Sequence, residues 1–204
     1  MLPLPFGKGH RLSNRFLDHI VGGWALNGFL TLQTGAPLSI FSARGTLNRG
    51  ARSGNNTVDT SLNRDQLRDV VGFFMTGGGP YFINPKNIGA DGRGAAADGE
   101  KPFDGQTFFN PQAGGLGSLQ RRSFNGPRLF NYDFGLGRSF RVREGHSVQV
   151  RADFFNATNT PSFQLGDTAA DQAAVQSINN AAFGRVVGTQ NIERQIQFSL
   201  TYRF

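Results

Sequence analysis

Between residues 194 and 204 the sequence alternates without a fault. Ile196, Phe198, Leu200, Tyr202 and Phe204 fall in one row; Gln195, Gln197, Ser199, Thr201 and Arg203 fall in the other. Side chains on a strand point in turn to its two faces, so the segment is predicted to be a strand with one apolar and one polar face. Its eleven residues match the length of a tilted strand crossing a bilayer's hydrocarbon core, about 9–11 residues. The apolar row runs through to the last residue, where a soluble sheet would ordinarily finish in a charged or frayed tail. Such a strand is expected to turn its apolar row to lipid.

Three further segments share the pattern. In 132–142, Tyr132, Phe134, Leu136, Phe140 and Val142 are apolar, Arg138 breaks the row, and Asp133, Gly135, Gly137, Ser139 and Arg141 alternate with them. In 147–155, Val148, Val150, Ala152 and Phe154 alternate with Gln149, Arg151 and Asp153. The polar link Arg143-Glu144-Gly145-His146 between them is a tight hairpin signal. The fourth segment, 24–40, places Trp24, Leu26, Leu30 and Leu32 against Ala25, Asn27, Thr31 and Gln33, with Phe29 breaking the polar row. Gly35-Ala36-Pro37 interrupts it, because proline donates no ladder hydrogen bond; Leu38 and Ile40 are expected to continue the strand above the membrane. Residues 2–6 read as the end of a preceding strand, 7–10 as a turn, and 184–190 as a further candidate strand.

Antiparallel strands of this length joined by short hairpins and long excursions predict an all-β fold, the portion of a transmembrane β-barrel with long extracellular loops. The excursions are 42–125 and 161–182. A connection as long as the first is unusual in a compact soluble domain. Within it, 61–71 (SLNRDQLRDVV) reads as one short amphipathic helix, capped by Ser61 or Asn63, with Leu67, Val70 and Val71 as its apolar edge. Gly77-Gly78-Gly79 reads as a loop tip.

The composition agrees with strands that face lipid with every second residue only. Hydrophobic residues make up 38% of the 204 and mean hydropathy is negative, and no run of 18 apolar residues marks a spanning helix. The formal charge of +7 comes from arginines scattered over strands and loops. That distribution argues against nucleic acid and suits a surface close to anionic lipopolysaccharide. With no cysteine, disulfides and thiolate metal sites are excluded. The first residues, MLPLPFGKGHRL, lack the charged and apolar regions of a signal peptide. An exported barrel needs one, so this chain is expected to be the C-terminal piece of a longer protein.

Neither catalytic nor cofactor chemistry emerges. His10, His19 and His146 lack metal-ligand spacing and an acidic cluster, and read as solvated turn residues. The triple glycine before Pro80 has no phosphate-loop lysine. Asp133, Arg141, Arg151, Asp153, Gln197 and Arg203 occupy the polar rows and are expected to face a lumen, the charged ones as a ladder of paired charges. No nucleophile–base arrangement accompanies them, and no enzyme is expected.

Several segments resemble, in order, the C-terminal barrel of TonB-dependent receptors: LPFGKG, GGWALNGFLTLQTGAPLSI, FFNPQAGGLGSLQRRSFNGPRLFNYDFGL, VRADFFNATNTPSF, FGRV and RQIQFSLTYRF. They are most similar to the Oar-like branch, which carries a carboxypeptidase-regulatory-like domain. The resemblance implies a 22-stranded outer-membrane barrel, plugged by a separate N-terminal domain and energised by contact of an N-terminal box with the TonB protein. It implies uptake of a large or scarce solute, outer-membrane lipid and lipopolysaccharide as surroundings, and the barrel-assembly machinery as a partner. Tyr202 and Phe204 would form the assembly signal. Plug, box and most strands have no counterpart here, so residues 1–204 read as the last four to six strands, inactive in uptake by themselves. Two other readings fit the alternation: a soluble all-β carbohydrate-binding module and a passive porin-like channel.

Overall fold

A computed structural model of the chain describes residues 2–3, 22–46 and 56–204. In chain order its strands are β1 (Leu2–Pro3), β2 (Trp24–Gln33), β3 (Pro37–Leu38), β4 (Phe41–Ser42), β5 (Asn56–Thr57), β6 (Val71–Thr76), β7 (Gly79–Ile83), β8 (Phe124–Asn125), β9 (Leu129–Arg143), β10 (His146–Phe155), β11 (Phe163–Gln164), β12 (Gly188–Thr189) and β13 (Gln195–Arg203). Two α-helices, α1 (Arg64–Val70) and α2 (Ala169–Gln176), lie among them. The chain divides into two compact units: Met1–Leu32, Phe130–Pro161 and Asn191–Phe204 form the first, Gln33–Leu129 and Ser162–Gln190 the second.

The first unit is one five-stranded sheet in the order β1-β2-β9-β10-β13. Strands that follow one another in the sheet also follow one another along the chain, the arrangement that short connections favour. The ladders β1–β2, β9–β10 and β10–β13 are all antiparallel. Of the predicted upstream strand, Leu2 and Pro3 pair with Leu26 and Ala25; residues 4–21, including the expected turn at 7–10 and His10 and His19, lie outside the described residues.

The register of the β9–β10 hairpin turns on one residue. Arg143 faces His146, but Arg141 faces Ser147, so Val142 is left over as a bulge beside Gly145, which sits at φ +78°. A left-handed glycine next to a bulge is a common way of closing such a hairpin. Beyond the bulge Phe140 faces Val148, Leu136 faces Ala152 and Phe134 faces Phe154. Without it the even-numbered residues of β9 would face odd-numbered ones of β10, and apolar rows would meet polar ones. On the other side Tyr202 faces Val148, Leu200 faces Val150, Phe198 faces Ala152 and Ile196 faces Phe154. Three strands therefore share one continuous apolar face.

Pro161 aside, the excursions 42–125 and 161–182 belong, with the helix expected inside the first, to the second unit, which has a core of its own. All the buried hydrophobic residues of the described chain lie in this unit, with Phe108, Phe183, Ile40, Ile83 and Ile178 wholly inaccessible. Phe183 meets Phe108 and Phe82 edge to face, at centroid separations of 6.0 and 6.3 Å. Four two-stranded ribbons, β3–β8, β4–β5, β6–β7 and β11–β12, surround them. Segments distant in sequence are stitched by polar side chains as well. The Ser42 hydroxyl donates to Asn110 Oδ1 at 2.6 Å, and Asn179 Nδ2 donates to the same oxygen at 3.0 Å.

Several element boundaries differ from those the alternation predicts. The strand expected over 24–40 ends at Gln33, and Leu38 and Ile40 are core residues of the second unit. At the break a Cβ on Gly35 would lie 1.8 Å from the Gly126 carbonyl oxygen, so the chain passes too close to itself for any side chain. Helix α1 is capped by Asn63, whose side chain accepts from Asp65 and Gln66 N–H while Gln66 answers the Asn63 N–H. Leu67 and Val70 are buried as expected, but Val71 begins β6. Gly77 and Gly78 form the turn between β6 and β7, a loop tip as read. In the second excursion α2 starts from a Thr168–Asp171 capping box, and Gly188–Thr189 pairs with Phe163–Gln164 instead of joining the large sheet.

Phe183 ties this core together. Phe183→Ala is expected to cost about 3–5 kcal/mol of folding stability, measured as a lowered urea midpoint. An unchanged midpoint would show that the second unit does not depend on this core.

Candidate functional site

The functional features of the sheet are its two faces, and the register settles which residues share them. Phe134, Leu136, Phe140, Val148, Val150, Ala152, Phe154, Ile196, Phe198, Leu200 and Tyr202 lie on one. They pack on one another only in part: Phe198 is 76%, Leu200 74% and Phe204 91% exposed. So many large apolar side chains uncovered in one row require an apolar medium or a covering partner.

Aromatic rings gather at both ends of this face. Phe134 stacks on Phe154 at 4.4 Å, and Tyr132 on Phe134 at 6.0 Å. Towards the hairpin, His146 stacks on Tyr202 at 5.7 Å, its Nδ1 lies 2.6 Å from the Tyr202 hydroxyl, and Tyr202 meets Phe204 at 6.0 Å. His146 is thus an aromatic partner and not merely a solvated turn residue. Arg138, the break in the apolar row, lays its guanidinium over the Phe140 ring at 4.5 Å and near the Trp24 ring at 6.0 Å. Cation–π contact lets a charge sit among apolar neighbours.

The opposite face carries Asp133, Arg141, Arg151, Asp153, Gln197 and Arg203. Asp153 faces Gly135 on one side and Gln197 on the other; Ser147 faces Arg141 and Arg203. Of the expected ladder of paired charges, one pair is present among these residues: Arg151 Nε donates to both Asp153 carboxylate oxygens, at 2.9 and 2.7 Å. Asp133 is engaged differently, accepting from Asn131 Nδ2 at 3.0 Å and from the Asn156 backbone at 2.8 Å. Arg141 and Arg203 flank one serine and are both exposed; the pattern there is a concentration of like charge instead of a ladder.

Asn27 belongs to the same polar face and was not singled out from the sequence. A Cβ on Gly135 would lie 2.5 Å from Asp153 Oδ1 and 2.6 Å from Asn27 Oδ1. The glycine is there because two longer polar side chains from neighbouring strands meet over it. Its place opposite Asp153, within an otherwise regular strand, was the available signal. Among the described residues no group of three or more His, Asp or Glu gathers as a metal site.

The strand ends are held by the Asn156-Ala157-Thr158-Asn159 turn. Asn156 is buried, has φ +46°, donates from Nδ2 to the Ile192 carbonyl at 2.8 Å and accepts from Thr160 N–H at 3.2 Å. Asn159, at φ +50°, accepts from the Arg194 N–H at 3.3 Å. Asparagine tolerates the left-handed region better than other side chains and bonds locally. The turn therefore joins the end of β10 to the approach to β13. Asn156→Ala, which strands the Ile192 carbonyl and keeps the strained φ, is expected to destabilise the sheet by about 2–3 kcal/mol. Chemical denaturation of the protein in detergent measures it; a change within error would show the turn to be dispensable.

Comparison with known proteins agrees with this geometry. Residues 1–197 match the family model described as an outer membrane beta barrel domain. A polyribonucleotide nucleotidyltransferase of Shouchella clausii (strain KSM-K16) is 25% identical over 146 residues, covering 71% of this chain and 20% of that protein. The chain thus spans about a fifth of that relative's length, a likeness too slight to define a family. No solved structure matches. The match over nearly the whole chain joins the uncovered apolar face and the antiparallel sheet: the chain belongs to the outer membrane beta barrel domain family, and its place is the bacterial outer membrane.

Proposed function

We propose that these strands form the closing part of a TonB-dependent receptor's barrel, which takes up a large or scarce solute with energy supplied through the TonB protein. The observation that carries the reading is the single apolar face running in register across β9, β10 and β13 and continuing to Phe204. That face meets lipid, and the face bearing Asp133, Arg141, Arg151, Asp153, Gln197 and Arg203 lines the lumen. The hairpin at Gly145 then lies on the periplasmic side, where such barrels keep their short turns. β2 ends, β9 begins, β10 ends and β13 begins at the opposite end of the sheet, which is the extracellular one. Tyr202 and Phe204 are the aromatic pair offered to the barrel-assembly machinery, and lipopolysaccharide surrounds the outer end. The lumen face works through its charge on a passing solute, without bond chemistry.

The orientation is tested by a pair of substitutions. Leu200→Arg is expected to cost about 2–4 kcal/mol of folding in a bilayer if the residue lies near the midplane, while Gln197→Leu is expected to fold normally. A harmless Leu200→Arg beside a Gln197→Leu that fails to fold would invert the faces. Energy coupling is tested separately, by uptake in cells with and without the TonB protein. Uptake should stop without it. Undiminished flux would assign the barrel as a passive channel instead.

A further inference from the structure

The second unit contains an open groove of about 610 Å³ between β7, the segment after it and the turn that follows α2. That volume lies in the range of small-molecule sites, about 300–1,000 Å³. Its floor is fixed by the backbone. A Cβ on Gly92, at φ +83°, would come 2.1 Å from the Ala181 carbonyl oxygen, and one on Gly184, at φ +77°, would touch Ile83 and Ile88 at 2.9 Å. Beneath lies the inaccessible Phe183.

The groups that line it are mainly polar. The Arg185 guanidinium is exposed and forms no ion pair among the described residues. Asp91 accepts the Arg93 backbone N–H on Oδ1 at 3.0 Å and its Oδ2 lies 3.6 Å from the Arg93 guanidinium, which leaves lone pairs free for hydroxyl donors. Asn180 uses its Oδ1 on the Ala182 N–H at 2.8 Å, which leaves its amide donors available. Tyr81, half-buried, offers a ring and a phenol with no hydrogen-bond partner among the described residues. The groove therefore presents one uncompensated cation, hydroxyl-matching donors and acceptors, and one aromatic wall.

That combination separates ligand classes. A peptide adding as a strand has no edge to join. β7 is paired with β6 on one side, and on the other Phe82 N–H donates to the Gly184 carbonyl at 2.8 Å and Val186 N–H to the Pro80 carbonyl at 3.0 Å. A nucleic acid strand needs several stacking rings and cations, whereas this groove has one of each and a carboxylate. We propose that the groove binds an acidic saccharide, its carboxylate on Arg185, its ring against Tyr81 and its hydroxyls on Asn180 and Asp91. Arginine's planar fork suits a carboxylate bidentately, and a tyrosine joins an apolar body to a polar tip. The inference does not depend on energy-coupled uptake, since the site is built within the second unit alone.

The test is calorimetric titration of the whole chain in detergent with trigalacturonate, with the neutral trisaccharide bearing CH2OH in place of each carboxylate, and with sodium phosphate. Trigalacturonate should bind at least tenfold more tightly than the neutral sugar and should weaken with added salt. Arg185→Ala should abolish that preference, Arg185→Lys should restore part of it, and Tyr81→Phe should weaken both sugars a few-fold. Arg185 is exposed, and an unchanged circular dichroism spectrum confirms that its variants fold. Absence of saccharide binding, equal affinity for acidic and neutral sugars, or phosphate binding as tight as the saccharide would each overturn the proposal. Loss of uptake without the TonB protein leaves these titrations untouched, so the two readings fail separately.

Discussion

The bulge at Val142 beside Gly145 is the constraint on which the first unit rests. A strand has a side-chain period of two, so one residue more or less in a hairpin exchanges every inward side chain for an outward one. Here the extra residue brings even-numbered positions of β9 opposite even-numbered positions of β10, and β13 continues the same parity. The apolar rows of three strands become one surface only because of it. The clearing at Gly135 opposite Asp153 and the stacking of Phe134 on Phe154 both follow from that register.

The two units use hydrophobic residues in opposite ways. The second unit buries Phe108, Phe183, Ile40 and Ile178 completely, as a water-soluble core does. The sheet of the first unit leaves Phe198, Leu200 and Phe204 largely uncovered. Both patterns obey the same drive to remove apolar surface from water; on the orientation proposed above, lipid does for the sheet what a core does elsewhere. A chain with modest hydrophobic content thus supplies both a packed module and an uncovered apolar face.

Polar side chains hold the points at which the chain changes direction. Asn156 and Asn159 take left-handed backbone at the end of β10, Asn63 and Thr168 open the two helices, and Asn110 and Asn179 close on Ser42. Each satisfies backbone or buried groups that would otherwise go unpaired. The abundance of asparagine outside the strands is explained by this work more than by contact with solvent.

The sequence by itself determined the strands of the sheet and their two faces, because alternation is a local property with a period of two that survives without knowledge of any neighbour. It also determined the hairpin at Gly145 and the helix behind Asn63, both written in a few adjacent residues. Tertiary structure decided what alternation does not encode. The core joining Ile40, Phe108 and Phe183 assembles residues far apart in the chain, and no periodicity marks them because its ribbons are only a few residues long. The meeting of Asn27 with Asp153 over Gly135 depends on which strands lie side by side. The groove beside Arg185 exists because a glycine lets two distant segments touch. Local patterns fix which way a side chain points; only the folded chain fixes what it points at.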